Sequence, residues 1–251
     1  MTTPAAPDPW HSLRGLTPAR IALGRAGASL PTGAHLEFQL AHARARDAVR
    51  DSFDVAALRR QLHDAGLPSI AIRSAAADST TYLQRPDLGR RLDPGSREPL
   101  VAAAVEGGFD AVIVISGGLS ARAAHRHAVP VLSALVPRLR GDHWRLAPVV
   151  VAERARVGLS DEIGFLLGAR LALILLGERP GLSAPDSLGG YLTWDPRRGR
   201  TDAERNCVSN IRPEGLAYDS AANRLGFLMA EASRRRLTGV ALKDESGVLG
   251  A

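Results

Sequence analysis

The sequence predicts an α/β protein, with a small helical N-terminal region followed by a Rossmann-like, mostly parallel sheet that has helices on both faces. After about residue 67, short apolar segments alternate with helix-like segments. Such alternation requires right-handed crossovers between parallel strands. The apolar segments are also continuous instead of alternating with polar residues, which is typical of strands buried on both faces of a sheet.

Four segments are predicted core strands, and two more are candidate additions. The strongest core strand is 110–116, because its β-branched residues run directly into the pair Gly117-Gly118. The prolines at 130 and 137 are expected to kink or break one long helix. The other predicted core strands are 69–73, 148–152 and 171–176, the candidate additions are 190–194 and 240–242, and the helices are 98–106, 119–139, 159–168 and 218–236.

The residues before the sheet are predicted to be mainly helical. Residues 1–9 carry three prolines and are expected to be extended or disordered. Thr17 and Pro18 suit the N-cap and the first position of a short helix, and two further helices are predicted at 38–49 and 54–62. The predicted organisation is an extended arm with a short helix at 1–30, a helical region at 31–95 and a Rossmann-like domain at 96–251.

Composition limits the class of protein. The net charge is +6, which suggests nucleic-acid binding, but Lys243 is the only lysine and the arginines are dispersed instead of forming a stripe. One cysteine, Cys207, excludes an internal disulfide and a cysteine-rich zinc site. No segment reaches the roughly 18 apolar residues of a membrane span, and the N-terminus lacks the apolar stretch of a signal peptide. A cytoplasmic location is expected.

Familiar catalytic and metal-binding motifs are absent. The segment 116–120 joins a strand to a helix, but it matches neither the dinucleotide-binding nor the P-loop spacing. Two interpretations of it stay open, a tight turn or a cradle of backbone amides for an anion or a cofactor side chain. His125 and His127 would point about 200° apart on a helix, so they cannot share one metal ion. No metal site is predicted.

Three residues are candidate ligand contacts. Val157 follows the strand at 148–152, and Glu178 follows the strand at 171–176, so both are expected at the carboxyl ends of strands. Cys207 is placed in a nearby loop. Ligands of open α/β sheets bind at this edge. The three residues include no proton-transfer pair, so binding is predicted here and no catalytic residue is assigned.

Several longer stretches make the chain recognisable. It resembles the light (small) subunit of ethanolamine ammonia-lyase, a bacterial enzyme that depends on adenosylcobalamin. The stretches that carry this resemblance are 16–27, 82–92, 115–121, 177–182 and 201–211.

The resemblance implies a division of labour between two subunits. A larger TIM-barrel subunit would hold ethanolamine and the catalytic residues, and this chain would cover part of the corrin of adenosylcobalamin at the interface. A radical reaction would then yield acetaldehyde and ammonia. The implied cofactor contacts are Val157, Glu178 and Cys207. Glu178 would accept hydrogen bonds from corrin amides, and the other two would pack against the ring.

The resemblance also implies that the chain forms a hetero-oligomer with the large subunit and binds neither nucleic acid nor a membrane. It further implies enclosure in a bacterial microcompartment, with contacts to the shell. One departure is Gly117, where the family commonly has aspartate. The alternative from another class is a stand-alone Rossmann-like protein that binds nucleotides or RNA through its arginines, with salt-sensitive affinity.

Overall fold

The computed structural model describes residues 8–17 and 19–246. It contains one six-stranded sheet with strands in the order β1-β3-β2-β4-β5-β6. The strands are β1 Ser69–Arg73, β2 Phe109–Ser116, β3 Val149–Glu153, β4 Ala169–Gly177, β5 Leu188–Trp194 and β6 Arg205–Ile211. The α-helices are α1 Thr32–Arg50, α2 Val55–Asp64, α3 Ser79–Gln84, α4 Arg97–Ala103, α5 Ala121–Gly141, α6 Leu159–Leu167 and α7 Tyr218–Arg235. None of these helices is long and apolar enough to cross a membrane.

The sheet has a parallel part and an antiparallel part. The strands β1, β3, β2 and β4 are parallel, with Ile115 of β2 in register with Val151 of β3 and with Leu175 of β4. The strands β5 and β6 are added antiparallel at the β4 edge. The predicted α/β class with helices on both faces is therefore confirmed, and the parallel arrangement extends over four of the six strands.

Two apolar cores cover the two faces of the parallel part. On one face, the α5 residue Leu132 and the α7 residue Leu225 belong to the same buried cluster as Leu173 of β4. On the other face, Ile163 of α6 packs in a cluster with Ile174 of β4. Successive residues of a strand point to opposite faces, so β4 contributes to both cores, and this explains its unbroken run of apolar residues.

The antiparallel part is covered on one face only. Leu192 of β5 and Val208 of β6 are buried in the core formed with α7. On the opposite face, the side that carries α6, Tyr191 is half-buried and Cys207 and Ser209 are exposed. We call this surface of β5 and β6 the open face.

Two predicted elements are wrong. No strand forms at 240–242, because Asn206 binds this segment with its side chain, donating to the carbonyl of Leu242 at 2.7 Å and accepting from the amide of Gly239 at 2.8 Å. The helix predicted to begin at Thr17 is also missing from the described residues. A 3₁₀ helix lies earlier, at His11–Leu16, and Ala22 has a φ of 50°, which a right-handed helix cannot contain.

Other boundaries differ in smaller ways. The prolines at 130 and 137 do not break α5, which is continuous from Ala121 to Gly141. The strand β6 replaces the predicted loop around Cys207. Residues 1–7 of the predicted arm and Pro18 lie outside the described residues. The domain boundaries stay a prediction, and β1, which precedes the predicted division at residue 95, pairs with β3.

Candidate functional site

Val157 lies where predicted, in the turn between β3 and α6. Its side chain is half-buried and packs against the core on the α6 side of the sheet. Gly158 follows as the N-cap of α6 and supplies no capping side chain. Val157 therefore presents a small apolar surface at the carboxyl ends of the parallel strands.

A stacked pair of side chains fixes the turn that carries Val157. The Arg156 guanidinium lies 4.2 Å from the Tyr82 ring centroid and donates to the Tyr82 carbonyl at 3.0 Å. The Tyr82 hydroxyl donates to the Ala155 carbonyl at 3.2 Å. A Cβ on Gly89 would lie only 2.8 Å from the Arg156 Cγ, so this close approach requires glycine. The segment 82–92 is thus the support of the Val157 turn.

Glu178 also lies where predicted, immediately after β4. Its Oε1 accepts a hydrogen bond from the Ser209 hydroxyl at 2.6 Å, and its Oε2 accepts one from the Asn210 backbone amide at 3.1 Å. The carboxylate passes over Gly189 of β5, where an added Cβ would lie 2.9 Å from Oε1. The chain therefore holds Glu178 in a defined position at the upper edge of the open face.

Cys207 lies within β6, and its prediction as a loop residue is wrong. It is in register with Tyr191 of β5. Although Cys207 is exposed as a residue, the protein groups around its thiol partly remove water from it and so raise its pKa, and the negative charge of Glu178 raises it further. Burial, Cys207 and Glu178 likewise raise the pKa of Tyr191. Both groups are therefore neutral near pH 7.

The structure brings Glu178 and Cys207 together on the open face. Ser209 is hydrogen-bonded to Glu178, and Tyr191 lies beside Cys207 on the neighbouring strand. Val157 and Tyr191 pack against the same apolar core, so Val157 belongs to this side of the sheet. Sequence reasoning missed Tyr191 and Ser209. The signal that could have found them is the period of two in β6, where Val208 is buried and its neighbours are exposed.

The segment 116–120 is a tight turn. The Leu119 amide donates to the Gly177 carbonyl at 3.0 Å. Gly118 has a φ of 57°, and a Cβ there would lie 2.3 Å from the same carbonyl oxygen. Backbone therefore fills the crevice between β2 and β4. A Cβ on Gly117 would meet Phe53 at 3.1 Å, so an aspartate here would require the ring to shift.

The two histidines of α5 take part in hydrogen bonds within the protein. His127 is buried, with Nδ1 2.8 Å from the Tyr218 hydroxyl and Nε2 2.8 Å from the Asp186 carbonyl oxygen. His125 accepts from the Asp54 backbone amide at 3.0 Å. Both rings therefore fix the fold around α5. Within residues 8–17 and 19–246, no group of three His, Cys, Asp or Glu residues is placed to hold a metal ion.

The chemistry of the open face is that of a binding surface. It offers one fixed carboxylate, a neutral thiol and a neutral phenol beside apolar groups. A few placed polar groups beside apolar surface are typical of ligand-binding sites. A catalytic acid and base would need an enclosed pair of titratable groups with different pKa values, and Glu178, Tyr191 and Cys207 do not form one.

Comparison with known proteins identifies the family of this chain. A model of the family described as ethanolamine ammonia-lyase light chain (EutC) matches residues 7–243. The ethanolamine ammonia-lyase small subunit of Azotobacter vinelandii (strain DJ) is 60% identical over 248 residues, which cover 98% of this chain and 92% of that one. The protein of the same name from Pseudomonas putida (strain KT2440) is 57% identical over 98% of this chain and 91% of its own length. The chain therefore belongs to the ethanolamine ammonia-lyase light chain family.

Proposed function

We propose that this chain is the small subunit of an adenosylcobalamin-dependent ethanolamine ammonia-lyase. It contacts the corrin where it meets a large catalytic subunit, and the complex converts ethanolamine to acetaldehyde and ammonia. The observation that carries the proposal is the fixed Glu178 carboxylate on the open face, in a chain that belongs to this family.

The residues present fit a corrin. The edge of a corrin carries amide groups, which donate hydrogen bonds, and Glu178 keeps acceptor capacity beyond its contacts with Ser209 and Asn210. The flat ring of the corrin needs apolar surfaces, which Val157 and the half-buried ring of Tyr191 supply. The raised pKa of Cys207 keeps its thiol protonated, so this sulfur packs as a small apolar group instead of acting as a metal ligand.

The roles of this chain follow from that fit. When bound, adenosylcobalamin would supply the radical chemistry, for which proteins provide position and shielding. Glu178 orients the edge of the cofactor, because its carboxylate is already held before binding. Tyr191, Cys207 and Val157 exclude water from the face they cover. The acid, the base and the substrate contacts belong to the large subunit in this proposal.

The test is reconstitution of the two subunits with adenosylcobalamin and ethanolamine. Ammonia release is expected only from the mixture, and Glu178→Gln should raise the cofactor KM about tenfold, the size of one lost charge-assisted hydrogen bond. The matched control is Glu231→Gln, which lies on α7 on the other face of the sheet and should leave the cofactor KM unchanged. An inactive mixture of folded, assembled subunits would contradict the proposal. Salt-sensitive RNA binding by the chain alone would then favour the alternative function.

The proposal also includes a cytoplasmic complex enclosed in a microcompartment. Cell fractionation tests this part separately: recovery of the chain with intact shells supports enclosure, and recovery only from the free cytosol contradicts it.

A further inference from the structure

A cavity lies beside α6 on the same side of the sheet as Val157. It has a volume of about 710 Å³ and is formed between the segment that follows α3 and the loop between β5 and β6. Its wall includes Gly158 and Asp161 from the first turn of α6, together with four arginines: Arg90, Arg91, Arg198 and Arg200.

This cavity borders the open face. Gly158 follows Val157 directly in the chain. Asp161 accepts two hydrogen bonds from Arg205 of β6, at 2.7 and 2.6 Å, and Arg205 lies two residues before Cys207 on the same strand. A ligand that covers Val157 and Cys207 therefore has a neighbouring site within reach of its edge.

The charges of the cavity are only partly balanced by the protein. Arg198 is paired with Glu162, and Arg200 is paired with Asp195 and Glu204. The two acids of the wall are themselves paired, Asp161 with Arg205 and Asp87 with Arg85. Asp87 also feels the charge of Arg91, without a hydrogen bond or ion pair between them.

Two arginines remain without a partner. The side chains of Arg90 and Arg91 make no hydrogen bond or ion pair with any residue that the structure describes. Both arginines line the same cavity, so their positive charges add there and would attract an anion.

One of these two arginines lies against the start of α6. The Arg90 side chain crosses Gly158, with its Cγ 3.5 Å from the position of a Cβ on that residue. The helix end itself adds little positive potential, because the Leu159 and Ser160 amides already donate to the Arg156 and Val157 carbonyls and two acidic residues lie in its first turn.

We propose that this cavity binds a phosphate group carried on a larger ligand. The planar fork of arginine matches phosphate oxygens in pairs, and the two positive charges of Arg90 and Arg91 are enough to balance the single charge of a phosphodiester or the two charges of a phosphate monoester. The cavity is larger than a phosphate alone requires, which fits a phosphate attached to other groups. One source is the phosphodiester in the nucleotide arm of cobalamin, in which case the site rests on the proposed function. The other source is a free phosphate ester.

The test uses the complex of the two subunits and measures binding by equilibrium dialysis. The probes are cobalamin, cobinamide, which has the corrin but lacks the phosphate-bearing nucleotide arm, and inorganic phosphate. In the double variant Arg90→Ala, Arg91→Ala we expect cobalamin to bind about tenfold more weakly and cobinamide to bind as in the wild type. Arg140→Ala, an exposed arginine at the far end of α5, is the matched control and should change neither.

The outcomes separate the two sources and the two proposals. Loss of phosphate binding with unchanged cobalamin affinity assigns the site to a free phosphate ester and supports the inference. Unchanged affinity for all three probes overturns it, as does an equal loss for cobalamin and cobinamide. Weaker assembly of the subunits with unchanged probe affinities also overturns it, and indicates that the arginines contact acidic groups of the large subunit. Failure of the wild-type complex to bind either corrinoid contradicts the proposed function instead.

Discussion

The parallel part of the sheet and its antiparallel edge are built from similar strands but are covered differently. In the parallel part, helices pack on both faces, so β2 and β4 are almost wholly apolar and buried. At the edge, α7 covers one face, and the open face carries Tyr191, Cys207 and Ser209. The polar residues that can recognise a ligand are thus found where a covering helix is missing. The covered part is a packed apolar core, and the polar side chains lie on the uncovered face.

The largest expected effect concerns the link between the two parts. Arg205 of β6 and Asp161 of α6 are both buried, and Arg205 also donates to the Thr193 hydroxyl at 2.6 Å. Arg205→Ala would leave a buried carboxylate without its partner, so the free energy of unfolding should fall by about 3–5 kcal/mol. Urea denaturation measures this loss.

The pH dependence of that loss has a defined sign. Burial raises the pKa of Asp161, and Arg205 lowers it. Without Arg205 the pKa rises further, so protonation at low pH removes the buried charge and the loss should be smaller at pH 5 than at pH 8. Arg170→Ala, which removes an ion pair whose arginine is largely exposed, should cost much less. Equal losses for the two variants would show that β6 does not depend on α6.

Effects of intermediate size on binding and stability are expected from substituting two adjacent glycines of β5 that face opposite sides of the sheet. Gly189→Ala would place a methyl group 2.9 Å from the Glu178 Oε1 on the open face and displace the carboxylate. Cobalamin binding should weaken about tenfold, and the free energy of unfolding should change little because a flexible side chain can move.

The neighbouring substitution is its control. Gly190→Ala would meet Leu225 at 3.1 Å in the covered core, so it should lower stability by about 1–3 kcal/mol without changing cobalamin affinity. Isothermal titration calorimetry of both variants measures cobalamin affinity, and denaturation measures the free energy of unfolding. If the two glycines have the same effect on binding, the distinction between the two faces of β5 is wrong.

The smallest expected effect concerns the reactivity of Cys207. Its pKa is raised by burial and by Glu178, and the thiolate is the reactive form. Glu178→Gln removes the neighbouring charge and lowers the pKa, so alkylation by iodoacetamide at pH 7.5 should become roughly two- to fivefold faster, as expected for about half a pKa unit. Ser209→Ala keeps the charge and is the control. A slower reaction in Glu178→Gln would mean that Glu178 does not act on the thiol through its charge.

The sequence by itself determined the α/β class, the strands β1 to β4 and the positions of Val157 and Glu178. These depend on local signals: apolar runs long enough to cross a buried sheet, followed by residues that end them. Cys207 was expected at the same edge of the sheet, but in a loop, and the family resemblance added its role as a cofactor contact.

The candidate strand at 190–194 is confirmed as part of β5, but only the tertiary structure decided that it pairs antiparallel with β4 and that β6 extends the sheet beyond it. The strand β6 is half polar, so by its sequence it resembles a loop, and its pairing with β5 depends on residues distant along the chain. The same holds for Asn206, which excludes a strand at 240–242, and for the support of the Val157 turn by Tyr82. The pattern of apolar residues in a segment shows which of its side chains are buried. It does not show which distant segment they pack against, so long-range contacts cannot be predicted from it.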